Sequence, residues 1–203
     1  MLAEQGSFSA LARLGFEHRQ IDRVLAAMAE VVVRVQGGSA PSHEFFALIV
    51  DFVEHYVDGR HHIKEEGALF EALLSSGFNP NGPIGCMVRQ HQRGRELVQV
   101  MREWVRSDPE SRATHLDGML SAATQYIELL WNHIATEDNA LFPAAAVGLS
   151  EESALAVVAK SEQLDPSPPE EFRAAADAVL RLAERLALES GPLLARLPVA
   201  AEL

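Results

Sequence analysis

The chain has a single cysteine, Cys86, in 203 residues. A lone thiol supports neither an intrachain disulfide framework nor a thiolate metal cage, and it fits a reducing compartment. Basic residues are also scarce, 17 Lys and Arg against 29 Asp and Glu, for a net charge of -12. The arginines of residues 89–106 alternate with apolar and acidic residues, as on a solvated helix face. Nucleic acid and anionic membranes are therefore excluded as expected partners. No apolar run approaches the roughly 18 residues of a membrane span. Residues 1–13 lack the basic start and apolar core of a signal peptide. Strand-like alternation is missing too: no stretch follows a period of two. These absences leave an all-α, cytoplasmic protein as the expectation.

Helical spacing, by contrast, runs almost throughout. Leu11, Leu14, Ile21, Leu25 and Met28 place one helix over residues 8–35, ended by Gly37-Gly38. Pro41-Ser42 opens a second, with Phe45, Leu48, Phe52, Leu69 and Leu73 on its stripe, and Ser75-Ser76-Gly77 closes it. Pro83 suits the first position of a third helix, whose stripe holds Ile84, Met87, Val88, Val98, Met101 and Val105. Asp108-Pro109 breaks the chain, and a fourth helix is predicted over residues 111–141, ending before Pro143. Four long segments joined by short turns read as an up-down-up-down bundle. Residues 1–148 form the bundle on this reading. Residues 149–203 form an extension with helices near 150–163 and 172–189, expected to pack on the bundle or on a second copy of the chain as a homo-oligomer.

The histidines give the bundle its chemistry. His18 lies between Leu14 and Ile21 on the first stripe, and His91 between Val88 and Val98 on the third. The second helix carries His61 and Glu65, the fourth His133 and Glu137. Each pair is four residues apart and so shares one helix face. Leu69-Phe70 follows Glu65 at the spacing by which Leu141-Phe142 follows Glu137. This internal pseudo-repeat selects His61/Glu65 over the shifted pair His62/Glu66. The levels agree as well: His18 and His61 each lie about 21 residues from the turn near Ser39, which at ~1.5 Å per residue puts them at one height.

One inward histidine is more often a hydrogen-bonded core residue than a ligand, and one His/Glu pair more often an ion pair. The combination is different. Several imidazoles and two carboxylates converging in a core carry large desolvation costs unless a cation offsets them. Nitrogen and oxygen donors without thiolate suit iron or manganese, and two carboxylates able to bridge suit a dinuclear site. No Glu is followed three residues later by His, which separates the chain from the ferritin-like di-iron bundles.

The segments 16–22, 61–66 with Leu69-Phe70, 89–91, and 133–138 with Leu141-Phe142-Pro143 resemble the hemerythrin-like HHE cation-binding family, over residues 8–148. The resemblance implies His18, His61, His62, Glu65, His91, His133 and Glu137 as ligands of two iron ions, with Glu65 and Glu137 bridging and an oxo or hydroxo group completing the bridge. One departure stands out. The O2-carrying hemerythrins take a second histidine from the third helix, where this chain has Arg95; His62 is the substitute that restores five histidines. Five leave one open position for a small ligand. Two functions follow as expectations: reversible binding or sensing of O2, or redox turnover of peroxide or nitric oxide. Around the site, Leu14, Leu69, Leu130, Leu141 and Trp131 are expected to form an apolar wall, with Gly94 leaving room for an exogenous ligand. His55 is expected to be a core or pathway residue, and Asp22 and Glu66 are weighed as helpers. His43 and His115 are expected to lie away from the site.

Overall fold

The computed structural model describes residues 2–190, with side chains from Ala10 to Glu189; the end of the expected extension, 191–203, lies outside the described residues. Helix α1 spans Leu2–Gln36. It closes where Gly38 takes a φ of 94° and the Ser39 amide reaches back to the Arg34 carbonyl at 2.9 Å, a turn that a side chain would strain. Helix α2, residues 43–75, starts at Ser42, whose hydroxyl accepts from the Phe45 amide and so satisfies an otherwise orphaned donor. Helix α3, Pro83–Arg106, carries its proline in the first turn, where no donor is lost. A short helix, Pro109–Thr114, is capped by Asp108 and leads into α4, residues 116–148. Then come α5, Glu151–Leu164, and α6, Pro169–Ser190.

Helices α1 to α4 form an up-down-up-down bundle, and no strand occurs among the described residues. The extension is not a detached arm. Helices α5 and α6 pack along α1 and touch α2, and Phe172, Ala176 and Val179 of α6 are fully buried in the bundle's main apolar cluster. No helix among the described residues is long and apolar enough to cross a membrane.

Three stretches wind more widely than an α-helix, with i→i+5 pairing: Val53–His62, Glu65–Phe70 and Glu137–Leu141. A wide turn rotates each residue by less than the ~100° of an α-helix, so the neighbours His61 and His62 both face inward. Such segments concentrate at functional sites. The third one also carries the helix through Pro143 to Gly148, past its expected end. Displaced pairing leaves that proline no regular i−4 bond to break.

The core comes in two apolar clusters. One holds Ile21, Val57, Leu97 and Leu130 and their neighbours; the other holds Leu14, Ala68, Met87 and Leu141. Between them, each of the four helices contributes polar side chains to a single layer. Val88, expected on the α3 stripe, is 42% exposed, because the buried line runs Ile84, Met87, His91, Gly94, Val98.

Candidate metal centre

That polar layer contains all seven residues singled out by the sequence. His18, His61, His62, Glu65, His91, His133 and Glu137 are each no more than 4% exposed. Their donor atoms fall into two groups of four, His62, Glu65, His91 and His133, and His18, His61, Glu65 and Glu137, each within 4.8 Å of one another. Glu65 belongs to both. Its Oε1 lies 3.2 Å from His61 Nε2 and 3.6 Å from His18 Nε2, while its Oε2 lies 3.4 Å from His91 Nε2. Glu137 Oε2 lies 3.3 Å from His18 Nε2 and 3.2 Å from His133 Nε2.

The outward nitrogen of every one of these imidazoles has a partner. His18 Nδ1 meets Asp138 at 2.8 Å, His61 Nδ1 meets Glu17 at 2.9 Å, and His62 Nδ1 meets Asp58 at 3.3 Å. His91 Nδ1 meets Glu66 at 2.7 Å, and His133 Nδ1 meets Gln90 at 3.0 Å. An acceptor on Nδ1 places the proton there and presents Nε2 as a lone-pair donor, the usual arrangement around metal-bound histidine.

The inward atoms are in the opposite condition. Among the described residues, His18 Nε2, His61 Nε2, His62 Nε2 and both carboxylate oxygens of Glu65 and Glu137 are buried with no hydrogen-bond partner in the protein. One such group costs about 1–3 kcal/mol, so this set would rival the ~5–15 kcal/mol that holds a whole domain together. Nitrogen and oxygen atoms in this density fit a cation.

The electrostatics point the same way. Burial works against charge on His18, but Asp138, Glu137 and Glu65 outweigh it and hold its pKa well above the usual value. His91 is raised to about 9, with Glu65 and Glu66 overcoming its burial. Glu65, despite burial, is held well below the carboxylate range by His61, His18 and His91. His62 differs: burial, reinforced by His91, pushes it down to about 3, so it stays neutral. The cluster thus offers an ionised Glu65 and, in His62, an imidazole already free of a proton.

The layer has a pseudo-twofold pattern. In α2, Glu65 is followed by Glu66, which binds His91, and by Phe70, which stacks on His91 with ring planes 16° apart. In α4, Glu137 is followed by Asp138, which binds His18, and by Phe142, which stacks on His18 at 7°. Glu17, just before His18, serves His61; Gln90, just before His91, serves His133. The symmetry is broken in several places. His62 faces the core where the other half has Ile134, and the acid Glu17 stands where the other half has an amide.

Of the two residues weighed as helpers, Glu66 takes that part and Asp22 does not. Asp138 takes the orienting role weighed for Asp22, and Glu66 is a partner of His91 and of Arg95. His55 is neither core nor pathway: its ring is exposed and bonds the Asp51 carbonyl. Trp131, expected in the apolar wall, is 42% exposed. His43 and His115 bond backbone carbonyls away from the layer. Glu17 and Lys64 were missed, although both fall on core stripes, three residues after Leu14 and three after His61. A cavity of about 390 Å³ reaches the His62–His91 side and is lined also by Gly94, Arg95, Asp58 and Tyr126.

The model of the hemerythrin HHE cation-binding domain matches residues 9–145. The chain belongs to this family. Relatives of this hemerythrin-type chain include iron-sulfur cluster repair proteins named YtfE from Salmonella typhimurium, Salmonella paratyphi B and Salmonella newport. Each is 33% identical over 91 residues, covering 43% of this chain and 41% of the relative. The match thus spans about two fifths of those proteins' length. No solved structure matches the hemerythrin-type chain.

Proposed function

We propose that this is a non-haem di-iron protein that binds or senses O2 or a related small oxidant at a carboxylate-bridged site. The observation that carries the reading is Glu65, shared by two groups of donors with one oxygen turned to each. Glu137 lies between His18 and His133 through a single oxygen, Oε2, so it too suits a place between the two groups. Donors of nitrogen and oxygen alone favour iron or manganese over a structural zinc site. Iron would supply reversible one-electron redox chemistry beside the cavity. The chain's residues hold the imidazoles through their Nδ1 partners, exclude bulk water with the two apolar clusters, and leave entry on the His62–His91 side.

That entry carries charged side chains but is nearly neutral. Arg95 is paired with Asp58 and Glu66, and Arg102 with Glu54. It offers no net field to draw an anion, which suits neutral guests such as O2, nitric oxide or hydrogen peroxide. Its volume exceeds what these molecules need, since a water takes ~30 Å³; it serves as a route, not a close-fitting pocket.

Metal analysis with absorption spectra under argon, air and peroxide tests this reading. Two irons per chain and a reversible spectral change in air support it. One metal per chain after iron loading, or zinc alone, overturns it. Rapid peroxide or nitric oxide consumption would instead make the protein a redox enzyme. A second reading, repair of iron-sulfur clusters, rests on the 33% identity to proteins so named. Recovery of a damaged cluster enzyme on mixing with the iron-loaded protein would favour it.

A further inference from the structure

We infer that Asp165, in the linker between α5 and α6, is a positioning residue for the metal centre, acting on His61 through Lys64 and Glu17, so that metal occupancy and docking of the C-terminal extension are coupled. The inference rests on the reading above that His61 is a metal donor.

The path is continuous and buried. His61 Nδ1 donates to Glu17 Oε2 at 2.9 Å. Lys64 Nζ donates to Glu17 Oε1 and, at 3.0 Å, to Asp165 Oδ2. Glu17, Lys64 and Asp165 are 0%, 1% and 2% exposed. Arg13 holds the same Asp165 oxygen at 3.1 Å and the Ser167 carbonyl at 2.8 Å, and Arg60 reaches Asp165 at 3.2 Å. The linker is thus fastened to α1 and α2 beside the metal layer.

The coupling follows from charge. Buried charges are stable only while their partners remain. Lys64 divides its ammonium between Glu17 and Asp165. Without the Asp165 charge it pairs with Glu17 alone and draws that carboxylate away from the His61 N–H. His61 then loses basicity and orientation as a donor. The other half of the layer has no such line: Gln90 is neutral, and Thr136, at the place of Lys64, is exposed and bonds the Asn132 carbonyl. Among the described residues, this buried polar line runs to the extension from the half containing His61. By linkage the effect is reciprocal: a cation on His61 fixes its Nδ1–H toward Glu17, and through Lys64 it steadies the linker.

The test uses the full chain loaded with iron. Iron release to a chelator is measured for the wild type, Asp165→Asn, Lys64→Met and the double variant, with circular dichroism to verify folding. Asp165→Asn should release iron about tenfold faster, the lower end of the effect of a histidine's outer partner. The double variant should be no faster than Lys64→Met, because both changes cut one path. Hydrogen exchange over residues 165–190 of the wild type should slow when iron is bound, a measurement that needs no variant. Wild-type release rates in folded Asp165→Asn, even with a lower melting temperature, would overturn the proposal. So would additive effects in the double variant, or exchange indifferent to iron. A wild type that takes up no iron would instead remove the reading on which the proposal stands.

Discussion

Glu66 Oε1 accepts from His91 Nδ1 at 2.7 Å, and the same oxygen accepts from Arg95 Nη2 at 2.7 Å. The acid after Glu65 thus supports His91, and on the proposed reading it does not compete for the place of Glu65. Glu65→Ala removes the carboxylate shared by both donor groups and should leave the chain unable to hold a metal pair. Glu66→Ala removes one Nδ1 partner and should weaken metal binding about 10–100-fold without abolishing it. Iron content after dialysis against graded chelator separates the two. Loss of the pair in Glu66→Ala with retention in Glu65→Ala would reverse the assignment.

His62 is the fifth imidazole, and its neutrality and inward Nε2 both favour ligation. His62→Ala should lower iron content and alter the absorption bands. His115→Ala, exposed and bonded to the Ser111 carbonyl, should change neither. Iron content and bands that are the same in His62→Ala as in the wild type would leave the centre with four histidines.

The helices and the clustering of the seven buried polar side chains were legible in the sequence because both obey helical spacing. His18, His91 and the two His/Glu pairs lie on apolar stripes, where a buried polar side chain stands out. The pseudo-repeat extended further than its His, Glu and Leu-Phe positions: the acids Glu66 and Asp138 follow the same rule, which favours Asp138 over Asp22 as the partner of His18. The wide turns were not legible, since no residue type dictates i→i+5 pairing. Asp165 was hidden for another reason. It bonds Lys64, 101 residues away, and no local pattern reveals which linker will fold back onto a buried lysine.

Tyr126 supplies a test of stability. Its hydroxyl is buried with no hydrogen-bond partner among the described residues, and burial together with the nearby Asp58 pushes its pKa up, so it remains protonated. An unpaired buried hydroxyl costs about 1–3 kcal/mol. Tyr126→Phe should therefore leave the melting temperature of the metal-free protein unchanged or raise it. A loss of more than about 1 kcal/mol, the worth of a made hydrogen bond, would show that the hydroxyl has a partner in solution.

The Asp165 carboxylate makes a prediction about acid. Burial opposes its charge, but Lys64 and Arg60 prevail and hold its pKa at about 2, against ~3.9 in an unfolded chain. A depressed folded pKa means that the stabilisation is present in full above the unfolded value. It is lost as the pH falls through the folded one. Asp165→Asn lacks this titration while keeping nearly the same shape. The metal-free wild type should thus melt above the variant at pH 6–7, and the gap should hold down to about pH 4. Below that it should narrow steadily, because the unfolded wild type gains a proton that the folded wild type refuses. Thermal melts of both proteins from pH 7 to pH 3 read the gap directly. A gap constant across that range would mean that Asp165 anchors the linker by shape and hydrogen bonding alone. A gap that widens in acid would contradict the charge network itself.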